Sequence, residues 1–141
     1  MTMPDYRRRA GFTLIELAIV LLIVAILMAV AIPSYRRYVV RSKRVDAQRT
    51  LVDLAAREEQ VFYSKNTYTS TLTDLNATAG MAGANYVIDI ASASSTAFVA
   101  RATAAGQQAT SDKQCQTLTL SNTGVQGSTG TTANDSACWG R

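Results

Sequence analysis

The stretch RRRAGFTLIELAIVLLIVAILMAVAIP, residues 7–33, decides how the rest of the chain is read. From Phe12 to Ile32 only Thr13 and Glu16 interrupt an apolar run, and about 20 such residues cross the roughly 30 Å hydrocarbon core of a bilayer as a helix. In lipid the backbone must satisfy its own hydrogen bonds, so helix is the expected conformation. Arg7, Arg8 and Arg9 precede the run and Pro33 closes it. Glu16 is the anomaly. A charge inside a span costs roughly 2.5–3.5 kcal/mol at the centre and less near an end, and hydrophobicity alone gives no reason for it.

Beyond Pro33 the chain reads RRYVVRSKRVDAQRTLVDLAAREEQVFYSK, residues 36–65, without Gly or Pro and rich in helix formers. Ala47, Leu51, Leu54, Ala55, Glu58, Val61 and Phe62 recur at three- and four-residue spacing, with Arg44, Asp46, Arg49, Asp53 and Arg57 mostly on other faces. The pattern predicts one helix from Phe12 to about Ser64, kinked near Pro33, with a length of roughly 80 Å. Its first half is apolar all round and its second half amphipathic.

Composition shifts at Asn66. Residues 66–85, NTYTSTLTDLNATAGMAGAN, read as a loop with at most a short helical turn. Three strand-like runs follow: NYVIDIAS (85–92), TAFVARATA (96–104) and QTLTLS (116–121), separated by Ser-, Gly- and Gln-rich segments. The last alternates, placing Leu118 and Leu120 on one face, as in a sheet with one side covered and one side wet. Residues 122–141, NTGVQGSTGTTANDSACWGR, are turn-rich. An antiparallel sheet laid against the amphipathic half of the helix is the economical arrangement, an α+β fold. The two cysteines, Cys115 and Cys138, lie behind an export-type segment and read as one disulfide rather than two buried thiols. Closing that loop contributes about 3 kcal/mol in the chain-entropy model, a large share for so small a head.

The chain has no histidine, which removes His-based triads, His metal sites and His acid–base chemistry. No clustered acid, nucleophile or ligand set replaces them, so no enzyme, cofactor or metal is expected. Asp112, just before the cysteine loop, and Asp135, near its end, are too few for a calcium site.

Residues 7–33 admit three readings. The first is an ordinary secretory signal with an A-x-A site at Ala29-Val30-Ala31, although the apolar run exceeds the usual 7–15 residues. The second is a plain single-pass anchor, in which Glu16 contributes only cost. The third gives Glu16 a partner. RRRAGFTLIEL resembles the cleavage site of type IV prepilins: a basic leader ending in Gly11, then Phe12-Thr13-Leu14-Ile15-Glu16, then an apolar helix. The similarity continues through Pro33 and along SYRRYVVRSKRVDAQRTLVDLA, residues 34–55, and the late cysteine pair with Trp139 is similar to minor pilins of the PilE type.

The resemblance implies the type IV pilin fold. It also implies segments: a leader at 1–11, a transmembrane or filament-core half-helix at 12–33, an amphipathic half at 34–64 and a globular head at 65–141. The head comprises a loop at 65–84, a sheet at about 85–121 and a disulfide-bounded region at 115–138. It further implies cutting between Gly11 and Phe12 by a prepilin peptidase and N-methylation of Phe12. Glycine before the scissile bond offers no side chain to obstruct the protease. The new amine is cationic at a helix N-terminus, where the macrodipole disfavours it and Glu16 offsets it. Between subunits, Glu16 of a resident chain is expected to meet the Phe12 amine of an incoming one and set the stagger of a helical filament. Pro33 is expected to kink the helix, or to act as a hinge on assembly.

The partners so implied are other pilin subunits, the prepilin peptidase, the inner-membrane assembly machinery and membrane lipid before assembly. Location is the inner membrane with the head in the periplasm, then an extracellular pilus. Arg36, Arg37, Arg41, Lys43 and Arg44 form the densest charge. They read as a solvated face touching anionic headgroups, against the positive-inside trend. DNA is a lesser partner, because no aromatic stacking pattern accompanies these cations. Removing residues 1–11, with three Arg and one Asp, lowers the formal charge from +4 to +2. The function expected is a structural one, a minor pilin serving twitching motility, adhesion or DNA uptake. A major pilin, a type II secretion pseudopilin and a small binding protein with an ordinary signal are the alternatives.

Overall fold

A computed structural model describes residues 11–140. The expected leader therefore lies outside the described residues except for Gly11. The described residues fall into two compact units, divided between Arg37 and Tyr38.

Helix α1 covers Leu14–Lys65 and contains Pro33. It begins where Thr13 supplies both capping atoms: the Glu16 amide donates to Thr13 Oγ1 at 3.2 Å and the Leu17 amide to the Thr13 carbonyl at 3.1 Å. It ends where Asn66 turns left-handed at φ 54 and donates its amide to the Phe62 carbonyl at 2.7 Å. Asparagine tolerates that conformation and closes helices in this way. In the first unit the residues of α1 are exposed throughout, so none of the described residues covers the apolar run.

In the second unit α1 turns Ala47, Leu51, Leu54 and Glu58 inward, the i, i+4, i+7, i+11 stripe of a helix with one covered face. Four strands complete this unit: β1 (Tyr86–Ala93), β2 (Phe98–Ala104), β3 (Thr117–Ser121) and β4 (Gln126–Thr129), an antiparallel meander in the order β1-β2-β3-β4. Register puts Ile88 beside Ala102 and Ala102 beside Leu118, so all three share the inner face. A register shift between Ile90 and Ser92 breaks the alternation of β1. Tyr86, Ile88, Phe98, Ala100, Ala102, Leu118 and Leu120 join Leu51 and Leu54 in one core, where each large side chain contributes roughly 1.5–3 kcal/mol. Phe62 stacks on Tyr68 with centroids 4.7 Å apart, and Tyr68 meets Phe98 edge-on at 4.9 Å, sealing the end of the core near the helix C-terminus.

The α+β architecture agrees with the sequence, and three strands coincide with the three runs. The loop at 66–85 forms two short 3-10 turns, Leu72–Leu75 and Gly83–Asn85, where the sequence predicts at most one, and a third at Ser136–Cys138, a helix and a strand arise where it predicts none. The Gln-rich separator after β2 folds as the short helix α2 (Gly106–Ser111), and the turn-rich tail contributes β4. Strand β4 carries Gly127 and Ser128 where apolar alternation would be looked for, so its pattern is silent; the strand forms because β3 offers it an edge. The Cys115–Cys138 disulfide is present, with Cα atoms 5.6 Å apart, and folds the tail back on the sheet. Gly130 is required there: a Cβ on it would lie 2.1 Å from the Gln114 carbonyl oxygen.

Candidate functional site

Two regions carry the residues singled out by sequence: the start of α1 in the first unit, and the surface and polar joints of the second unit.

At the start of α1, Phe12 is 84% exposed and Glu16 is exposed in the first helical turn. Gly11 has no atom within 4 Å of where its Cβ would be. No packing demand among the described residues therefore explains a glycine there. Glu16 stands three residues after Thr13, the spacing of a capping box, and its amide is the one Thr13 Oγ1 accepts from. The sequence pattern T-x-x-E announces this cap, but the bond uses the backbone amide of Glu16, so the cap itself does not call on its carboxylate. Pro33 lies within α1. The apolar segment has a mean hydropathy of 3.1 over its best window, with none of it buried, which is long and apolar enough to cross a membrane.

The basic run divides. Arg36, Arg37 and Arg41 are exposed and Lys43 is half-buried. Arg44 does not belong with them: its guanidinium grips Asp112 with two bonds, Nη2 to Oδ1 at 2.6 Å and Nε to Oδ2, and Nη1 reaches the Ala137 carbonyl at 3.3 Å. The two side chains are only 11% and 1% exposed. Arg44 is thus a structural cation, not part of a solvated face. Asp112 also accepts from the Cys115 amide at 3.2 Å and from Gln108 Nε2 at 3.1 Å. Gln108 Nε2 reaches the Val40 carbonyl at 3.2 Å and lies 3.1 Å from the Tyr86 hydroxyl, while Gln48 Nε2 donates to the Cys138 carbonyl at 2.8 Å. Burial raises the Tyr86 hydroxyl above its ordinary pKa. The short helix α2 therefore ties α1, the sheet and the disulfide loop at one joint. Sequence reasoning missed this joint, because one Gln and one Asp in a polar separator carry no distinguishing signal.

A second joint holds the loop after α1. Glu58 is fully buried, and its Oε2 accepts from the Thr69 amide at 3.1 Å. Its Oε1 has no partner among the described residues. Burial, with some help from the charges of Glu59 and Asp74, raises its pKa above the usual glutamate range. Arg57 Nη1 donates to the carbonyls of Leu75 and Asn76, fastening the same loop. Asp74 is held below its ordinary value first by the Thr69 hydroxyl and then by Lys65.

Around the C-terminus, Asp135 caps the last turn by accepting from the Ala137 amide and is held below its ordinary pKa, chiefly by Gln114 and then by that amide. Trp139 Nε1 donates to the Gly127 carbonyl at 2.8 Å. Gln126, Ser128, Asn134, Asp135, Ser136 and Trp139 line a polar hollow of about 90 Å³, room for about three waters. Among the described residues no group of three His, Cys, Asp or Glu side chains is placed to hold a metal ion.

Comparison with known proteins accounts for both regions. Residues 6–32 match the model of the prokaryotic N-terminal methylation motif, and residues 33–119 match a family described as type IV minor pilin ComP, DNA uptake sequence receptor. Fimbrial protein EcpC of Eikenella corrodens is 34% identical over 122 residues, covering 84% of this chain and 77% of that one. Type IV major pilin protein PilA of Myxococcus xanthus is 43% identical over 61 residues, 43% of this chain but only 28% of the relative. Type IV major fimbrial protein FimA of Dichelobacter nodosus is 61% identical over 33 residues, 23% of this chain and 21% of the relative. The chain belongs to the type IV pilin family, entering it through the methylation motif at its N-terminus and the ComP minor-pilin match over residues 33–119.

Proposed function

We propose that the chain is a minor subunit of a type IV pilus, structural rather than catalytic. In this reading it is cut between Gly11 and Phe12, methylated at Phe12, held in the inner membrane by residues 12–32 and then built into the filament. The observation that carries it is that no described residue covers the apolar half of α1, while the second unit is closed by its own core and disulfide. A helix so exposed has to be covered by lipid or by copies of itself, and head-to-tail contacts that do not close give a filament.

N-terminal sequencing and mass measurement of the mature chain test the processing step. A methylated Phe12 start supports the pilin reading, whereas a start at Ile32 or Ser34 makes the residues before it, 1–31 or 1–33, an ordinary signal. Quantifying the protein in sheared filaments against another pilin tests the minor status. For Glu16, the comparison is between Glu16→Ala and Thr13→Ala. The first is expected to insert in the membrane but drop out of filaments, while the second loses only the cap and still assembles. Equal loss in both would leave the Glu16 carboxylate with no role in assembly separable from an intact helix start. Pro33, in the same reading, kinks α1, and helix continuity across residues 29–35 in a filament is the measurement for it.

A second reading of the head, engagement of DNA, is favoured by the family description. Five described cations, Arg44, Arg49, Arg57, Lys65 and Arg101, are ion-paired. Arg41, Lys43 and Lys113 in the same unit have no ion pair among the described residues and are the cations free for phosphate. Each phosphate contact adds about 0.9 to the salt slope of duplex binding. Lys113→Ala lowering that slope by about one would support the reading, and an unchanged slope would remove Lys113 from it.

A further inference from the structure

Immediately after the apolar run, α1 carries Tyr35, Arg36, Arg37, Tyr38, Arg41 and Lys43. We propose that these residues form a binding band for the headgroups of anionic phospholipid, occupied while the subunit waits in the membrane. The proposal rests on the reading that residues 12–32 cross a bilayer.

Three observations converge on lipid. Tyr35 and Tyr38 are 69% and 70% exposed within three residues of each other. A tyrosine joins an apolar ring to a polar hydroxyl and settles at the boundary between hydrocarbon and headgroup. The second observation is charge without a counter-charge. Arg36, Arg37, Arg41 and Lys43 make no ion pair or hydrogen bond among the described residues, while Arg44, next in the run, is fully occupied by Asp112. No acidic residue lies between Glu16 and Asp46, so the band presents cations alone. The third is position. The cations begin four residues after Ile32, the last apolar residue of the span, which at 1.5 Å per residue puts the backbone of Arg36 and Arg37 about 6–8 Å beyond the hydrocarbon edge, at headgroup depth, and that of Arg41 and Lys43 about 14–17 Å beyond it, from where their long side chains reach back toward the headgroups. Guanidinium forks bind phosphate oxygens with two parallel bonds.

The band also answers the charge asymmetry of the sequence. These cations oppose the positive-inside trend if the head is exported. Cations needed for headgroup binding at the far leaflet are a reason to retain them there.

The test uses the full chain in bilayers of phosphatidylethanolamine with a minor fraction of phosphatidylglycerol. The wild type is compared with R36Q/R37Q/R41Q/K43Q, and with the charge-keeping R36K/R37K/R41K as a folding-neutral partner. Lipid retained after gentle extraction is read by native mass spectrometry, and Trp139 emission reports that the head is folded. The wild type is expected to enrich phosphatidylglycerol several-fold over the bulk ratio. The glutamine variant should fall to the bulk ratio, and the lysine variant should keep most of the enrichment. Equal phosphatidylglycerol in wild type and glutamine variant overturns the proposal. So does a result in which the glutamine variant loses affinity only for a short DNA duplex, which assigns the band to nucleic acid. Flotation on purely neutral vesicles separates this from the anchor: a chain that fails to float there takes down the spanning reading and the band together. One that floats but shows no enrichment takes down the band alone.

Discussion

Asp112→Ala isolates the joint between α1, α2 and the disulfide loop. The carboxylate is 1% exposed, and its partner Arg44 is 11% exposed. Truncating Asp112 leaves a guanidinium without its counter-ion, orphans the Cys115 amide and removes one of the three acceptors of Gln108 Nε2. Breaking a buried pair from one side costs about 3–5 kcal/mol. Arg44 retains a little access to water and its bond to the Ala137 carbonyl, which places the expected loss near the lower end, about 3 kcal/mol. The reference is Asp89→Ala, which breaks the pair with Arg101. Those side chains are 40% and 42% exposed, where a surface pair is worth about 0–1 kcal/mol. The assay is urea unfolding of the full chain in detergent, followed by the emission of Trp139, the only tryptophan and a neighbour of Cys138. With a slope of about 2 kcal/mol per molar, Asp112→Ala should lower the midpoint by about 1.5 M. Arg44→Met with Asp112→Leu, which removes both charges, should recover most of that loss. If Asp112→Ala moves the midpoint no further than Asp89→Ala, the joint is not what holds the tail to the helix.

Other outcomes follow from the same structure. Gly130→Ala forces a Cβ to within 2.1 Å of the Gln114 carbonyl oxygen. The backbone has to shift, and thermal unfolding should show a loss of about 1–3 kcal/mol. Replacing Cys115 and Cys138 together by Ser opens a loop with a sequence separation of 23 and should cost about 3 kcal/mol in the urea assay. A loss below 1 kcal/mol would mean that the core alone orders the tail. For Glu58 the sign is worked from its raised pKa. The favourable, protonated form exists fully below its ordinary value of 4.5, and the stability it contributes is lost as pH rises through the higher folded value. Glu58→Gln keeps an oxygen for the Thr69 amide without the charge. It should therefore be more stable than wild type at pH 7, with the gap closing below pH 4.5. A pH-independent gap would contradict a buried, ionisable Glu58.

The apolar run from Phe12, the start of α1 at Thr13 and its end before Asn66 are all written locally. Composition, a capping residue and a left-handed asparagine act within a turn or two of the chain, so sequence alone determines them. The same is true of the prepilin-like start, which is a contiguous motif, and of the stripe Ala47, Leu51, Leu54 and Glu58, whose spacing follows from 3.6 residues per turn. What tertiary structure decided is non-local. Strand β4 exists because β3 presents an edge to it, not because Gln126–Thr129 favours a strand. Arg44 looks like its neighbours in a basic run until Asp112, 68 positions away, neutralises it. Glycine at 130 is needed because the backbone of Lys113 and Gln114 passes beside it. Pairings across such distances depend on how the chain closes on itself, and no periodicity or local preference along the sequence encodes which partner arrives.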